Sequence, residues 1–210
     1  MNQLRILFGG TFDPIHQGHL MMSRWAQAYW PNSMIHFIPC HRPGHREQPI
    51  ASGKHRFAMI ERAIQHEANM IADPIELNQA QTSYTLYTVQ KMQQYYPDSH
   101  FAWLMGYDSW IHFNRWYHYQ TLAQLCHFII VKRADYTQQT ISNHGLTRAT
   151  QPQQLNQTSA GYYYILPTTV PNISASALRQ QLANGKQPSE NDLPQVVYEY
   201  INNYHLYSQR

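Results

Sequence analysis

Gly9-Gly10-Thr11-Phe12-Asp13-Pro14-Ile15-His16-Gln17-Gly18-His19 follows directly on the apolar run Leu4-Arg5-Ile6-Leu7-Phe8. That run is short, rich in β-formers and reads as a buried strand. The two glycines end it in a sharp turn. From His16 or Gln17 onward, Leu20, Met21, Trp25 and Ala28 recur at helical spacing. Ser33 to Pro39 then reads as a second strand. Strand, glycine turn, helix and strand make a unit of two parallel strands with a right-handed crossover. The quoted turn lies at the carboxyl end of the first strand, where open α/β sheets collect their ligands.

The same alternation continues along the chain. Residues 41–52 read as a polar loop, 54–67 and 82–96 as helices, and 70–72 and 74–77 as short extended pieces. Phe101 to Gly106 and His127 to Val131 read as buried strands, with short helices at 110–116 and 120–125 between them. Residues 137–160, rich in Gln, Thr, Ser and Asn, read as a weakly structured connection with room for one short helix. Tyr162 to Leu166 is the last strand. A helix from Ser174 or Ser176 stops at Asn184-Gly185. Asp192 and Pro194 open a final helix whose apolar face is Val196, Val197, Tyr200, Ile201 and Tyr204. The expected fold is therefore α/β, a doubly wound and mostly parallel Rossmann-like sheet. Residues 1–210 form one domain, with 172–210 a C-terminal helical subdomain packed on it.

The 210 residues are 43% hydrophobic and only 13% charged, with a net charge of +3. Such a chain can bury a core, and its charge is too mild to argue for nucleic-acid or membrane partners. Two isolated cysteines, Cys40 and Cys126, give neither a disulfide framework nor metal-ligand spacing. No signal peptide or membrane-length apolar run is evident, so the expected location is the cytoplasm. His41 and His45 are four apart, but no third ligand is placed by spacing, so no metal from the protein is expected.

The chemistry of the opening turn points to phosphate. Gly9 and Gly10 leave the backbone unobstructed, so phosphate oxygens can approach main-chain N–H groups. The helix that follows adds orphan donors and a positive dipole end. His16 and His19, three residues apart, share a helical face and can donate to one phosphate chain. Singly, each feature has an ordinary reading, since Gly-Gly turns and surface histidines are common. Their concurrence at this topological point favours a site. The stretch lacks the Lys-Ser/Thr pair of a Walker A loop and the glycine spacing of the dinucleotide fingerprint.

The stretch resembles the T/HxGH signature of the nucleotidyltransferase superfamily, and more closely GGTFDPxHxGH of the nicotinate-nucleotide adenylyltransferases. Asn172-Ile173-Ser174-Ala175-Ser176-Ala177-Leu178-Arg179 is similar to that family's ISxSxIR. Pro39-Cys40-His41-Arg42-Pro43-Gly44-His45 resembles PxNxPPH, with Cys40 in place of Asn and Gly44 in place of Pro. Ser83-Tyr84-Thr85 resembles SYT, and Met105-Gly106-Tyr107-Asp108-Ser109 with Phe113 and Trp116 resembles IGxDxxxxFxxW. Lys132-Arg133 resembles the RR or KR after the fifth strand, with Ala134 for the usual Pro.

The resemblance implies an adenylyltransferase that joins nicotinate mononucleotide to the AMP moiety of ATP, releases pyrophosphate and serves NAD biosynthesis. It implies catalytic roles for His16, His19 and Arg179. It implies ATP binding by Gly9, Gly10, Thr11, Phe12, Gly18, Gly106, Asp108, Ile173, Ser174 and Ser176. The mononucleotide would meet Cys40, His45, Tyr84, Thr85, Trp116 and Arg133, with Trp116 stacked on the pyridine ring. Mg²⁺ would come with ATP, held by phosphate oxygens and water. Nicotinamide mononucleotide, other nucleotidyl transfer and a non-catalytic nucleotide sensor are the alternatives. The sequence leaves the oligomeric state open.

Overall fold

Leu4, Ile6 and Phe8 project from one face of strand β1 (Gln3–Gly10) into one apolar cluster, and Leu7 projects from the other face into a second. This two-sided burial is what a parallel strand covered by helices on both faces requires. The computed structural model describes residues 3–42, 48–79, 82–133 and 142–208. Its seven strands are β1, β2 (Met34–Pro39), β3 (Met70–Ala72), β4 (Ser99–Gly106), β5 (His127–Arg133), β6 (Thr147–Arg148) and β7 (Tyr162–Val170). They form one sheet in the order β3-β2-β1-β4-β5-β7-β6, and every adjacent pair is parallel. The sheet is thus wholly parallel.

Helices α1 (Gln17–Tyr29), α2 (Gly53–Ala63), α6 (Ala175–Ala183) and α7 (Gln195–Asn203) cover one face, through Leu20, Ile60, Leu178 and Val197 among others. Helices α3 (Thr85–Tyr95), α4 (Tyr107–Trp110) and α5 (Tyr119–Ala123) cover the other, through Val89, Trp110 and Leu122. The chain runs outward from β1 to β3 and then returns to place β4 on the opposite side of β1. Strand order reverses between β1 and β4, which opens a crevice at their carboxyl ends. Gly9-Gly10 and Gly106 stand at those ends.

Several boundaries differ from the sequence reading. Residues 74–77 are a turn, because the Asp73 carboxylate accepts from the Ile75 amide at 3.0 Å and Asn78 N–H bonds back to Pro74. The expected 110–116 helix is instead α4 followed by a 3₁₀ turn at Phe113–Arg115, and Trp116 is extended. Helix α3 starts at Thr85 rather than 82, because the Ser83 amide is drawn to Arg42 O. Helix α2 stops at Ala63, short of 67. Within 137–160, Thr147–Arg148 add an edge strand and Pro152–Asn156 a 3₁₀ turn. Tyr204, expected on the buried face of the last helix, is 54% exposed and leans on Tyr200 and His55. Among the described residues no helix is long and apolar enough to cross a membrane.

Candidate active site

His16 is the residue just before α1, in extended conformation, so its ring turns back over the first helical turn. The His16 and His19 rings stack with centroids 3.7 Å apart. The His16 amide donates to His19 Nδ1 at 3.3 Å, which fixes His19 as the tautomer with its proton on Nε2. Phe12 and Phe8 pack edge-on against His19 from below. Burial, reinforced by the nearby Arg133 charge, lowers the His16 pKa to about 4. Burial, with His16 and Arg133 beside it, also holds His19 well below the ordinary histidine range. Both rings are therefore neutral at pH 7, each with one N–H to offer.

The α1 N-terminus offers fewer free amides than the sequence suggests. Gln17 N–H is taken by Asp192 O at 2.9 Å, and His19 and Leu20 N–H by His16 O. Gly18 is left, and here a side chain would crowd its neighbours. An added Cβ would lie 3.1 Å from the His16 ring and 3.7 Å from Ile173 Cβ. That contact brings the second motif against the first. Ser174 caps α6 by accepting from Ala177 N–H at 3.3 Å. Ser176 Oγ accepts from Arg179 Nη2 at 3.2 Å. Arg179 Nη1 reaches across to donate to Asp13 O at 2.7 Å, placing the guanidinium at the opening turn.

From β5, Arg133 donates to Asn172 Oδ1 at 2.9 Å and faces Asp108 Oδ1 at 3.7 Å. Arg133 thus sits with His16, His19 and the second motif. Asp108 lies in the first turn of α4, folded so close over Gly106 that its carboxylate occupies the space of a Cβ there. Two buried polar atoms of this crevice, His16 Nδ1 and Asp108 Oδ1, make no hydrogen bond among the described residues. Such atoms are costly unless a ligand satisfies them.

The opening turn is held from beneath. Gly9 lies against the Trp103 indole, which leaves no room for a side chain, and Gly10 lies tightly against the Phe12 ring. Phe12 adopts φ 49°, an unfavourable backbone for an aromatic residue, and its ring is buried. Its side chain packs in the core, as does that of the buried Ile173. Arg56, 1% exposed, donates to Ala51 O, Thr11 O and Cys40 O at 3.1, 2.7 and 2.6 Å. The Asp13 carboxylate accepts from the Ile50 and Ala51 amides and from Tyr207 Oη at 2.8, 3.1 and 2.7 Å.

On the other side of the crevice, Trp116 is half-buried and stands edge-on to Trp103 and Phe113. Tyr84, the residue before α3, stacks on Tyr117 with centroids 4.4 Å apart, and Thr85 opens the helix. Cys40 N–H bonds Gly10 O at 2.9 Å, and burial pushes its thiol pKa up. His45 lies outside the described residues. The sequence reading missed Arg56, Tyr207 and Glu76, and quoted Asp13 without assigning it a role. Only a polar residue on an otherwise apolar helical face could have signalled Arg56. Among the described residues no three His, Cys, Asp or Glu side chains gather as metal ligands.

A wholly parallel sheet with neutral imidazoles and guanidinium groups at its switch point defines a nucleotide-phosphate site on a doubly wound fold. Residues 7–181 match the cytidylyltransferase-like family model. A probable nicotinate-nucleotide adenylyltransferase of Escherichia coli is 36% identical over 99% of this chain and 100% of its own length. One from Idiomarina loihiensis is 35% identical over 97% of this chain and 99% of its own. The nicotinic acid mononucleotide adenylyltransferase of Plasmodium falciparum, solved with NaAD, superposes with a TM-score of 0.75 at 18% identity, covering 98% of each chain. The chain belongs to the cytidylyltransferase-like family and, within it, to the nicotinate-nucleotide adenylyltransferases.

Proposed function

We propose that this chain transfers the adenylyl group of ATP to nicotinate mononucleotide, forming nicotinate adenine dinucleotide and pyrophosphate. The observation that carries this reading is the meeting of His16, His19, Arg133 and Arg179, from three distant segments, at the β1/β4 crevice. The attacking group is a phosphate oxygen of the mononucleotide, already ionised near neutral pH, so no protein nucleophile is needed. Its bond to the α-phosphorus forms as the bond from that phosphorus to the bridging oxygen breaks. Pyrophosphate leaves with the electron pair.

The barrier lies in bringing two anions together and stabilising the charge on the leaving group, which positioning and fixed donors reduce. His19 would donate through Nε2–H, and Arg133 and Arg179 would supply positive charge. The Asp13 carboxylate is engaged by two amides and Tyr207, so it holds the opening turn in place. Mg²⁺ would enter as part of the ATP substrate and would offset phosphate charge. Asp108 Oδ1 would accept from a ribose hydroxyl. Trp116 would stack on the pyridine ring, with the α3 N-terminus at Tyr84 and Thr85 holding its carboxylate.

The reading takes residues 1–210 as one catalytic unit, supported by α6 and α7 sharing a core cluster with the sheet. It implies the cytoplasm, where ATP is supplied and the free thiols of Cys40 and Cys126 stay reduced. Incubating the purified chain with ATP, Mg²⁺ and either nicotinate or nicotinamide mononucleotide tests it. The expected result is dinucleotide and pyrophosphate in equal amounts, with nicotinate preferred. No dinucleotide from either substrate overturns the reading.

A further inference from the structure

The loops on the mononucleotide side rest on a buried acid that the reaction does not use. Glu76 is 5% exposed. Thr88 Oγ1 donates to its Oε1 at 2.6 Å, and the Ser83 hydroxyl lies beside the same carboxyl group and favours its charged form. Burial pushes the Glu76 pKa above the ordinary carboxylate range, while these hydrogen bonds and the Arg56 charge oppose that. A carboxyl group is expensive to bury, and an apolar residue would pack here at lower cost. What the acid provides is position.

Both of its partners lead to substrate-binding segments. Ser83 Oγ accepts from the amides of His41 and Arg42 at 2.9 and 3.4 Å. Ser83 N–H donates to Arg42 O at 2.9 Å. Thr88 lies one turn into α3, its N–H on Tyr84 O at 3.3 Å. Glu76 therefore joins the chain leaving β2 at 40–42 to the first turn of α3, which carries Tyr84 and Thr85. Tyr84 in turn stacks on Tyr117, next to Trp116. No hydrogen bond of Glu76 runs to residues 9–19 or 172–179 among the described residues.

We infer that Glu76 is a positioning residue for the second substrate: through Ser83 and Thr88 it holds the 40–42 loop against the start of α3 and so sets mononucleotide affinity without setting that for ATP. The inference rests on the adenylyltransferase reading. It is tested by measuring kcat and both KM values for the wild type, Glu76→Ala, Glu76→Gln and Ser83→Ala. Each buried hydrogen-bond loss should raise KM for nicotinate mononucleotide about tenfold in the Glu76→Ala and Ser83→Ala variants. KM for ATP should stay within about twofold. Glu76→Gln keeps an acceptor for Thr88 and should rescue most of the loss. The Glu76→Ala/Ser83→Ala double variant should be little worse than either single one, because both act through one network.

If Glu76→Ala does not fold, Ser83→Ala alone carries the test, assayed well below its unfolding temperature. An unchanged KM for the mononucleotide, or equal rises in both KM values, overturns the inference. A wild type that makes no dinucleotide overturns instead the functional reading on which it rests.

Discussion

At the scale of single residues, the proposed chemistry turns on the imidazole pair. Stacking and burial keep both rings neutral, and the His16 amide on His19 Nδ1 leaves Nε2 as the only proton His19 can offer. Replacing His19 by Ala removes that donor and should cost on the order of 3 kcal/mol of transition-state stabilisation, as loss of an oxyanion donor does. Steady-state kinetics would read this as a fall in kcat of two to three orders of magnitude. A kcat within tenfold of wild type would remove His19 from the role given to it. Trp116 tests the other half of the crevice. It stands edge-on to Trp103, which itself supports Gly9, so it has a packing role as well as an available surface. Trp116→Ala should raise KM for the mononucleotide several-fold more than KM for ATP if, as proposed, the pyridine ring stacks on it. Equal rises would leave Trp116 as packing only. Of these residues, the histidines and Arg179 were legible in the sequence because turn and motif place them together. Arg56 and Glu76 were not, because a buried charge inside an apolar pattern shows itself only when its distant partners are known.

At the scale of elements, the strands were legible and the joints were not. Phe101 to Gly106 and His127 to Val131 are apolar runs buried on both faces, so their composition alone identifies them. Residues 74–77 and 110–116 are shaped instead by local hydrogen bonds, such as Asp73 on Ile75 N–H, which leave no periodic trace. The C-terminal helices illustrate the same limit. Their apolar faces could be read from the sequence, but their connection to the site could not. That connection is Tyr207, whose hydroxyl donates to Asp13 Oδ1 across 194 positions while Asp13 O holds Arg179. Tyr207→Phe keeps the ring and deletes one buried hydrogen bond to a carboxylate. It should lower stability by about 1–3 kcal/mol, seen as a reduced urea midpoint at unchanged m. An unaltered midpoint would show that the C-terminal segment is held by packing alone.

At the scale of the whole molecule, buried neutral histidines make the fold acid-sensitive. His127 shows why on geometry alone: one ring nitrogen meets Thr158 O at 2.8 Å and the other accepts from Tyr162 N–H at 3.2 Å. A second ring proton would therefore face an N–H group. Burial lowers the pKa of both His16 and His127 from 6.5 to about 4. Between those values the unfolded chain binds protons that the native chain does not, so stability falls as pH drops through the window. Each of the two contributes a loss on the order of 3 kcal/mol by the time pH reaches the folded value. Glu76, its pKa raised in the fold, acts with the opposite sign: native protein takes up its proton first, which adds stability as pH falls through the raised value. Two strongly shifted histidines outweigh one carboxyl group, so urea unfolding should show a clearly lower midpoint at pH 5 than at pH 7.5. His127 lies outside the crevice and isolates the effect. His127→Asn should be weaker than wild type at pH 7.5, because two hydrogen bonds are disturbed, yet should lose less stability between pH 7.5 and pH 5. Parallel losses in the two proteins would assign the acid sensitivity to groups other than His127.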